Sequence, residues 1–251
     1  MRAYVSRWFL QRDAFERQVG GSSAEIEALL ANGAAPGIIY SEDPSGGWWS
    51  ALAAYSGHAP GSPDPGGTHW YAPAAVWWLR KGRLHLNGGA SPAEAAVRNR
   101  DAFALSFVRA LSTEPLASLN YPRCFDQEKV LEGNARSTAD EEWGAWISGA
   151  YGVCLRVFTA ESCVQKEALG RRVRLHFEAV DDNERLCPET LLDYAERLSG
   201  WVLPFSPMER PSGTPGRAID RTLATLGLGI EEPFGHLPMR KSANDVADNK
   251  S

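Results

Sequence analysis

Arg171–Val180, RRVRLHFEAV, decides how the chain is read. Val173, Leu175 and Phe177 alternate with Arg172, Arg174, His176 and Glu178, the period of a half-buried β-strand. The polar half of that alternation turns one face of a sheet toward water. Three other stretches share strand character. Residues 3–10, AYVSRWFL, are expected to form a first strand. Ala75–Asn87, AVWWLRKGRLHLN, sets Trp78, Leu84 and Leu86 about Lys81-Gly82 and is expected to form a β-hairpin. Trp143–Phe158, WGAWISGAYGVCLRVF, is expected to form one bent or two consecutive strands, broken at Gly144, Gly149 and Gly152.

Helix signals stand between these stretches. Ser22 and Glu25 have the spacing of a capping box and open a helix carrying Ile26, Leu29 and Leu30, which ends at Asn32-Gly33. Ser91-Pro92-Ala93-Glu94 opens a second, running to about Leu111 with Val97, Phe103 and Phe107 on its apolar face. A short helix is expected near Glu161–Leu169. A strongly amphipathic one follows Pro188-Glu189, with Leu191, Leu192, Ala195, Leu198, Trp201 and Val202 as its stripe. A last short helix covers RAIDRTLATLGLG. His58–Gly67 and Pro204–Gly216 read as surface loop and linker, and residues 112–140 as irregular.

The fold class expected is α+β, with mixed or antiparallel sheets flanked by helices. Two packed lobes are expected, 1–115 and 116–239, with a polar disordered tail at 240–251; one continuous domain is the alternative.

The chain has 251 residues and a net charge of −5. Phosphate neutralisation supplies most of the affinity of a general nucleic-acid binder, so an acidic chain argues against direct nucleic-acid contact and is compatible with a basic partner. Arg2, Arg7, Arg12 and Asp13 interrupt any signal-peptide core, and no apolar run approaches the ~18 residues of a spanning helix. Cys124, Cys154, Cys163 and Cys187 show no CxxC spacing and read as reduced thiols, which points to the cytoplasm.

The five histidines, His58, His69, His85, His176 and His236, make no HxxxH or HExxH spacing, and no metal or cofactor is expected. GxSxG, GxxxxGK[ST] and GxGxxG are all missing. Cys124 stands beside Arg123, a neighbour that lowers a thiol pKa, but is expected to be a buried structural thiol. The carboxylate clusters Glu42-Asp43, Asp140-Glu141-Glu142, Asp181-Asp182 with Glu184, and Glu231-Glu232 read as solvated turns. Two of them precede tryptophans: Trp48 and Trp49 follow the first, Trp143 and Trp146 the second. Acidic rims around aromatic anchors suit the binding of a basic protein. Glu42, Asp43, Trp48, Trp49, Asp140, Glu141, Glu142, Trp143 and Trp146 are therefore the candidate partner-binding residues. The alternative is a hydrolase or transferase in which Cys124 or His176 converges with one of the clusters.

The segments GGWW (Gly46–Trp49) and EEWGAW (Glu141–Trp146), with the chain's size, acidity and α+β layout, resemble immunity proteins of bacterial polymorphic toxin and type VI secretion systems. They look in particular like the group numbered fifty-two, paired with restriction-endonuclease-fold toxins. The resemblance implies a cytoplasmic protein that binds a cognate nuclease effector and blocks its active site or its DNA path; from charge and hydropathy, no contact with nucleic acid or membrane is expected.

Overall fold

The computed structural model describes residues 1–58 and 61–229. The expected tail at 240–251, Glu231, Glu232 and His236 lie outside these residues. In chain order the elements are α1 (Arg2–Trp8), β1 (Leu10–Gln11), α2 (Arg12–Val19), α3 (Ser23–Ala31), β2 (Ile38–Glu42), β3 (Trp48–Ser50), α4 (Ala51–Tyr55), β4 (Thr68–Tyr71), α5 (Pro73–Asn87) and α6 (Pro92–Thr113). They continue with α7 (Ala117–Asn120), β5 (Phe125–Asp126), β6 (Lys129–Val130), α8 (Glu132–Ile147), α9 (Ala150–Cys154), α10 (Ala160–Glu178), α11 (Pro188–Trp201) and α12 (Arg221–Thr225), the last preceded by a π-helical turn, Pro215–Asp220. The fold is α+β. One antiparallel sheet runs β1-β4-β2-β3, and β5 pairs with β6.

Arg171–Val180 is helix through Glu178, the C-terminal part of α10, and not a strand. Thr159 caps this helix, accepting from Ser162 N at 3.1 Å while Ser162 Oγ accepts from Thr159 N. Within it Leu169, Val173 and His176 recur at i, i+4 and i+7 and are buried, whereas Leu175 and Phe177 are only half-buried. A short window fits a period of 2 as well as 3.6; the 19-residue helix has the period of 3.6.

The expected hairpin at 75–87 is α5. Gly82 is no turn: a Cβ there would stand 3.0 Å from Leu29 Cδ2, so the glycine lets α3 pack closely on α5. The expected strands at 143–158 belong to α8 and α9. Gly149, at φ +90, separates the two helices, and a Cβ on Gly152 would meet Ile39 Cδ1 at 2.5 Å. Residues 3–10 are mainly α1, and the irregular stretch 112–140 holds α7 and the first half of α8. Both capping boxes form, Ser22 with Glu25 and Ser91 with Glu94.

The main cluster of buried side chains runs from Tyr4 to Phe205 and crosses the expected boundary at 115–116. Phe158 lies at its centre, stacked on Trp146 with 4.3 Å between ring centroids and on Phe103 with 4.9 Å. A smaller cluster joins α10, α11, the π-helical turn and α12 through Val173, Leu198, Ile219 and Leu223. The two clusters meet along α10.

Candidate ligand-binding site

A cavity of about 610 Å³ opens between the β3–α4 segment, α10 and residues 205–218. Its lining includes Trp48, Trp49, Lys166, Arg174, Glu209 and Arg217. That volume is within the range of pockets that enclose small molecules.

Glu209 is fixed by three hydroxyl groups from three segments. Tyr40 of β2 donates to Oε2 at 2.5 Å, Ser206 to the same oxygen at 2.6 Å, and Ser50 of β3 to Oε1 at 2.6 Å. Among the described residues no cation pairs with it. The loop that presents Glu209 is strained at Phe205, whose φ of +62° is left-handed for a bulky residue. Phe205 is fully buried, and a Cβ on Gly213 would stand 2.5 Å from its Cδ2, so the glycine makes room for the ring. Arg210 ties the loop to the π-helical turn. Its Nε and Nη2 donate to the two oxygens of Asp220 at 2.8 and 2.7 Å, and Nη1 donates to Pro204 O at 2.7 Å. Arg217 projects from that turn; π segments concentrate at functional positions.

Lys166 and Arg174 come from α10. Lys166 is buried, its ammonium 2.5 Å from Glu167 Oε1 and 5.3 Å from the centroid of the Tyr151 ring. Burial alone would lower the lysine pKa, but the charge of Glu167 outweighs it and holds Lys166 above its usual value. Burial likewise works to raise Glu167, and the Lys166 charge and hydrogen bond bring it below the carboxylate range. Tyr151 Oη lies 3.1 Å from Glu167 and 2.5 Å from Glu142 Oε2. Burial pushes the Glu142 pKa above its usual value, partly offset by the Tyr151 hydroxyl. Arg174 and Arg217 have no carboxylate within ion-pair distance among the described residues. Cys154, also in the lining, is pushed by burial up to about 12, so it is a thiol and no nucleophile at neutral pH.

Trp48 and Trp49 line the cavity, as two of the nine candidate partner-binding residues. Trp48 stacks on Trp70 with 5.2 Å between centroids, and Trp49 Nε1 donates to Gly61 O at 3.1 Å. Glu42 and Asp43 stand on the same hairpin but are engaged within it. Glu42 pairs with Arg2 at 2.6 Å, and Asp43 Oδ1 accepts from Ser45 N, Ser45 Oγ and Gly47 N.

The second group departs from expectation. Asp140, Glu141 and Glu142 lie on α8, not in a loop. Asp140 pairs with Arg100 and Glu141 with Arg123 at the surface, whereas Glu142 turns inward to Tyr151. Trp143 and Trp146 are 5% and 0% exposed, core side chains and not contact anchors. Their place is set by the helical phase: 139, 143 and 146 share one face of α8.

Cys124 and His176 stand on different elements. Cys124 is fully buried with its Sγ 3.2 Å from Thr138 Oγ1. His176 accepts the Leu186 N–H on Nδ1 at 2.9 Å, and burial, with Arg185, Arg172 and Arg221, holds its pKa below the usual imidazole value. Neither lines the cavity. Among the described residues no three His, Cys, Asp or Glu side chains gather as a metal requires. The residues that sequence reasoning missed are Lys166, Arg174, Glu209 and Arg217. One signal marked Lys166: Cys163, Lys166, Gly170 and Val173 fall on one helical stripe, where a lysine is out of place unless paired.

No curated protein and no solved structure matches the chain. A family model described as a family of unknown function, DUF6058, matches residues 101–227. That span holds Lys166, Arg174, Glu209 and Arg217, whereas Tyr40, Trp48, Trp49 and Ser50 precede it. With half of its length matched, from within α6 to just past α12, the chain belongs to the DUF6058 family.

Proposed function

We propose that the chain binds a small molecule in this cavity, and that the ligand carries an anionic group on a planar or apolar body. One observation carries the reading: Arg174 and Arg217, without ion-pair partners among the described residues, line a cavity that Trp48 and Trp49 also line. Guanidinium groups match carboxylate and phosphate in geometry, and indole rings supply apolar surface for a flat ligand. The strained Phe205 and the Arg210–Asp220 clamp hold the site in shape before a ligand arrives, which lowers the ordering cost of binding. Thermal denaturation with indole-3-acetate tests this. A concentration-dependent rise in Tm is expected in the wild type, absent in Arg217→Ala. No rise in the wild type at millimolar ligand would contradict it.

A second reading, neutralisation of a basic toxin in the cytoplasm, is favoured by the β2–β3 hairpin alone. Glu42, Asp43, Trp48 and Trp49 share that hairpin, and β3 is an edge strand of the sheet. The four cysteines are free, which agrees with a reducing compartment. Co-expression with a toxin encoded beside the gene of this chain should restore growth, and Trp49→Ala should weaken the rescue. A neighbouring product without toxicity would count against this reading.

A further inference from the structure

We infer that the ligand is an amino acid or short peptide with free termini, its ammonium received by Glu209 and its carboxylate by Arg174 and Arg217. This rests on the cavity being a ligand site, and names the chemistry of what fills it.

The charges that line the cavity divide into those already matched and those that are not. Lys166 is matched by Glu167, and Arg210, beside the lining residue Glu209, by Asp220. Of the Lys, Arg, Asp and Glu side chains in the lining, Arg174, Arg217 and Glu209 remain. A ligand complementary to all three carries one positive and at least one negative group. A purely anionic molecule can bind at the arginines but leaves Glu209 unmatched; a purely cationic one would do the reverse.

Glu209 is built to receive a donor. A carboxylate offers about four lone-pair directions. Tyr40 and Ser206 take two on Oε2 and Ser50 takes one on Oε1, so a direction on Oε1 is left. All three donors are neutral hydroxyls. They hold the carboxylate in place without cancelling its charge, and an ammonium N–H is the donor that gains most from the free position. Phe205, Leu52 and Met208 add apolar lining beside the tryptophans, which suits a large apolar side chain on the ligand.

Calorimetric titration of the full chain with L-phenylalanyl-L-alanine, its N-acetylated form and its C-terminal amide tests the assignment. In the wild type, N-acetylation and amidation should each weaken binding by about ten-fold, the loss of one charged contact. In Glu209→Gln the acetylation penalty should vanish, and in Arg217→Ala the amidation penalty should shrink. Equal affinity of the free and N-acetylated dipeptides in the wild type overturns the inference, and needs no variant to fold. Equal affinity of the free and amidated dipeptides also overturns it. If the N-acetylated dipeptide binds as well as the free one and loses affinity in Arg217→Ala, the anion site stands and only the ammonium assignment fails. If none of the three binds, the inference fails, and the indole-3-acetate shift decides whether the anion site stands.

Discussion

Tyr40 and Glu209, 169 residues apart, meet at 2.5 Å, the hydroxyl of β2 donating to the carboxylate of the 204–214 loop. The bond ties the N-terminal sheet to the segment that shapes the cavity. It also spans the edge of the family match, which begins at residue 101. A hydrogen bond to a charged group contributes about 1.5–3 kcal/mol. Tyr40→Phe, which keeps the ring, should lower unfolding stability by about 2 kcal/mol in urea titration. An unchanged midpoint would show that the sheet and the loop are not coupled through this bond.

Lys166 and Glu167 form an ion pair with side chains only 9% and 18% exposed. Removing one member strands the other charge away from water, which costs about 3–5 kcal/mol. Lys166→Met should therefore destabilise strongly. The double variant Lys166→Met, Glu167→Gln should recover much of that loss, because neither charge remains. Additive losses in the double-variant cycle would contradict the pairing.

Glu142 has a folded-state pKa raised by burial, partly offset by the Tyr151 hydroxyl. The folded chain thus holds a proton that the unfolded chain gives up from its ordinary value of about 4.3 upward. Between that value and the raised one, the folded state binds more protons, and stability falls as pH rises. Glu142→Gln removes this slope while keeping the side-chain shape. The urea midpoint of the wild type minus that of the variant should decline as pH rises from the ordinary carboxylate range toward neutrality. A difference that is flat or rising over this window would contradict the upward shift of Glu142.

Gly216, the second residue of the π-helical turn, lies against backbone: a Cβ there would stand 2.7 Å from Pro211 Cα, with Arg210 O nearer still. Backbone cannot swing aside as a side-chain tip does. Gly216→Ala should cost about 1–3 kcal/mol through overpacking and should displace Arg217 from the cavity. Thermal denaturation reads the first effect. Loss of the indole-3-acetate shift reads the second, and an unaltered shift would mean that the turn does not set the arginine's position.

The helices that the sequence marks most plainly are those with local chemistry at their ends. Ser22 with Glu25 and Ser91 with Glu94 form their reciprocal bonds, and the apolar stripe of 188–201 is buried through Leu191, Ala195 and Leu198. The stretches misread as strands carry β-branched and aromatic residues on helices that are covered on more than one side. Such helices lack a clean polar face, so Arg171–Glu178 mimics alternation. Gly82 and Gly152 read as breaks because a close approach by Leu29 or Ile39 is a tertiary fact, invisible in a linear window. The site was legible only at Trp48 and Trp49. Glu209 sits in a Pro/Gly/Ser-rich stretch that reads as a linker, and its cradle comes from residues more than 150 positions away as well as from Ser206.

The proposed ligand binding rests on an anion site between Arg174 and Arg217 beside Trp48 and Trp49. A crystal structure grown with indole-3-acetate tests it most directly. The ligand carboxylate is expected at hydrogen-bond distance from one or both guanidinium groups, with its ring against Trp48 or Trp49. Density for the ligand elsewhere, or a cavity that holds only water at saturating indole-3-acetate, would contradict it.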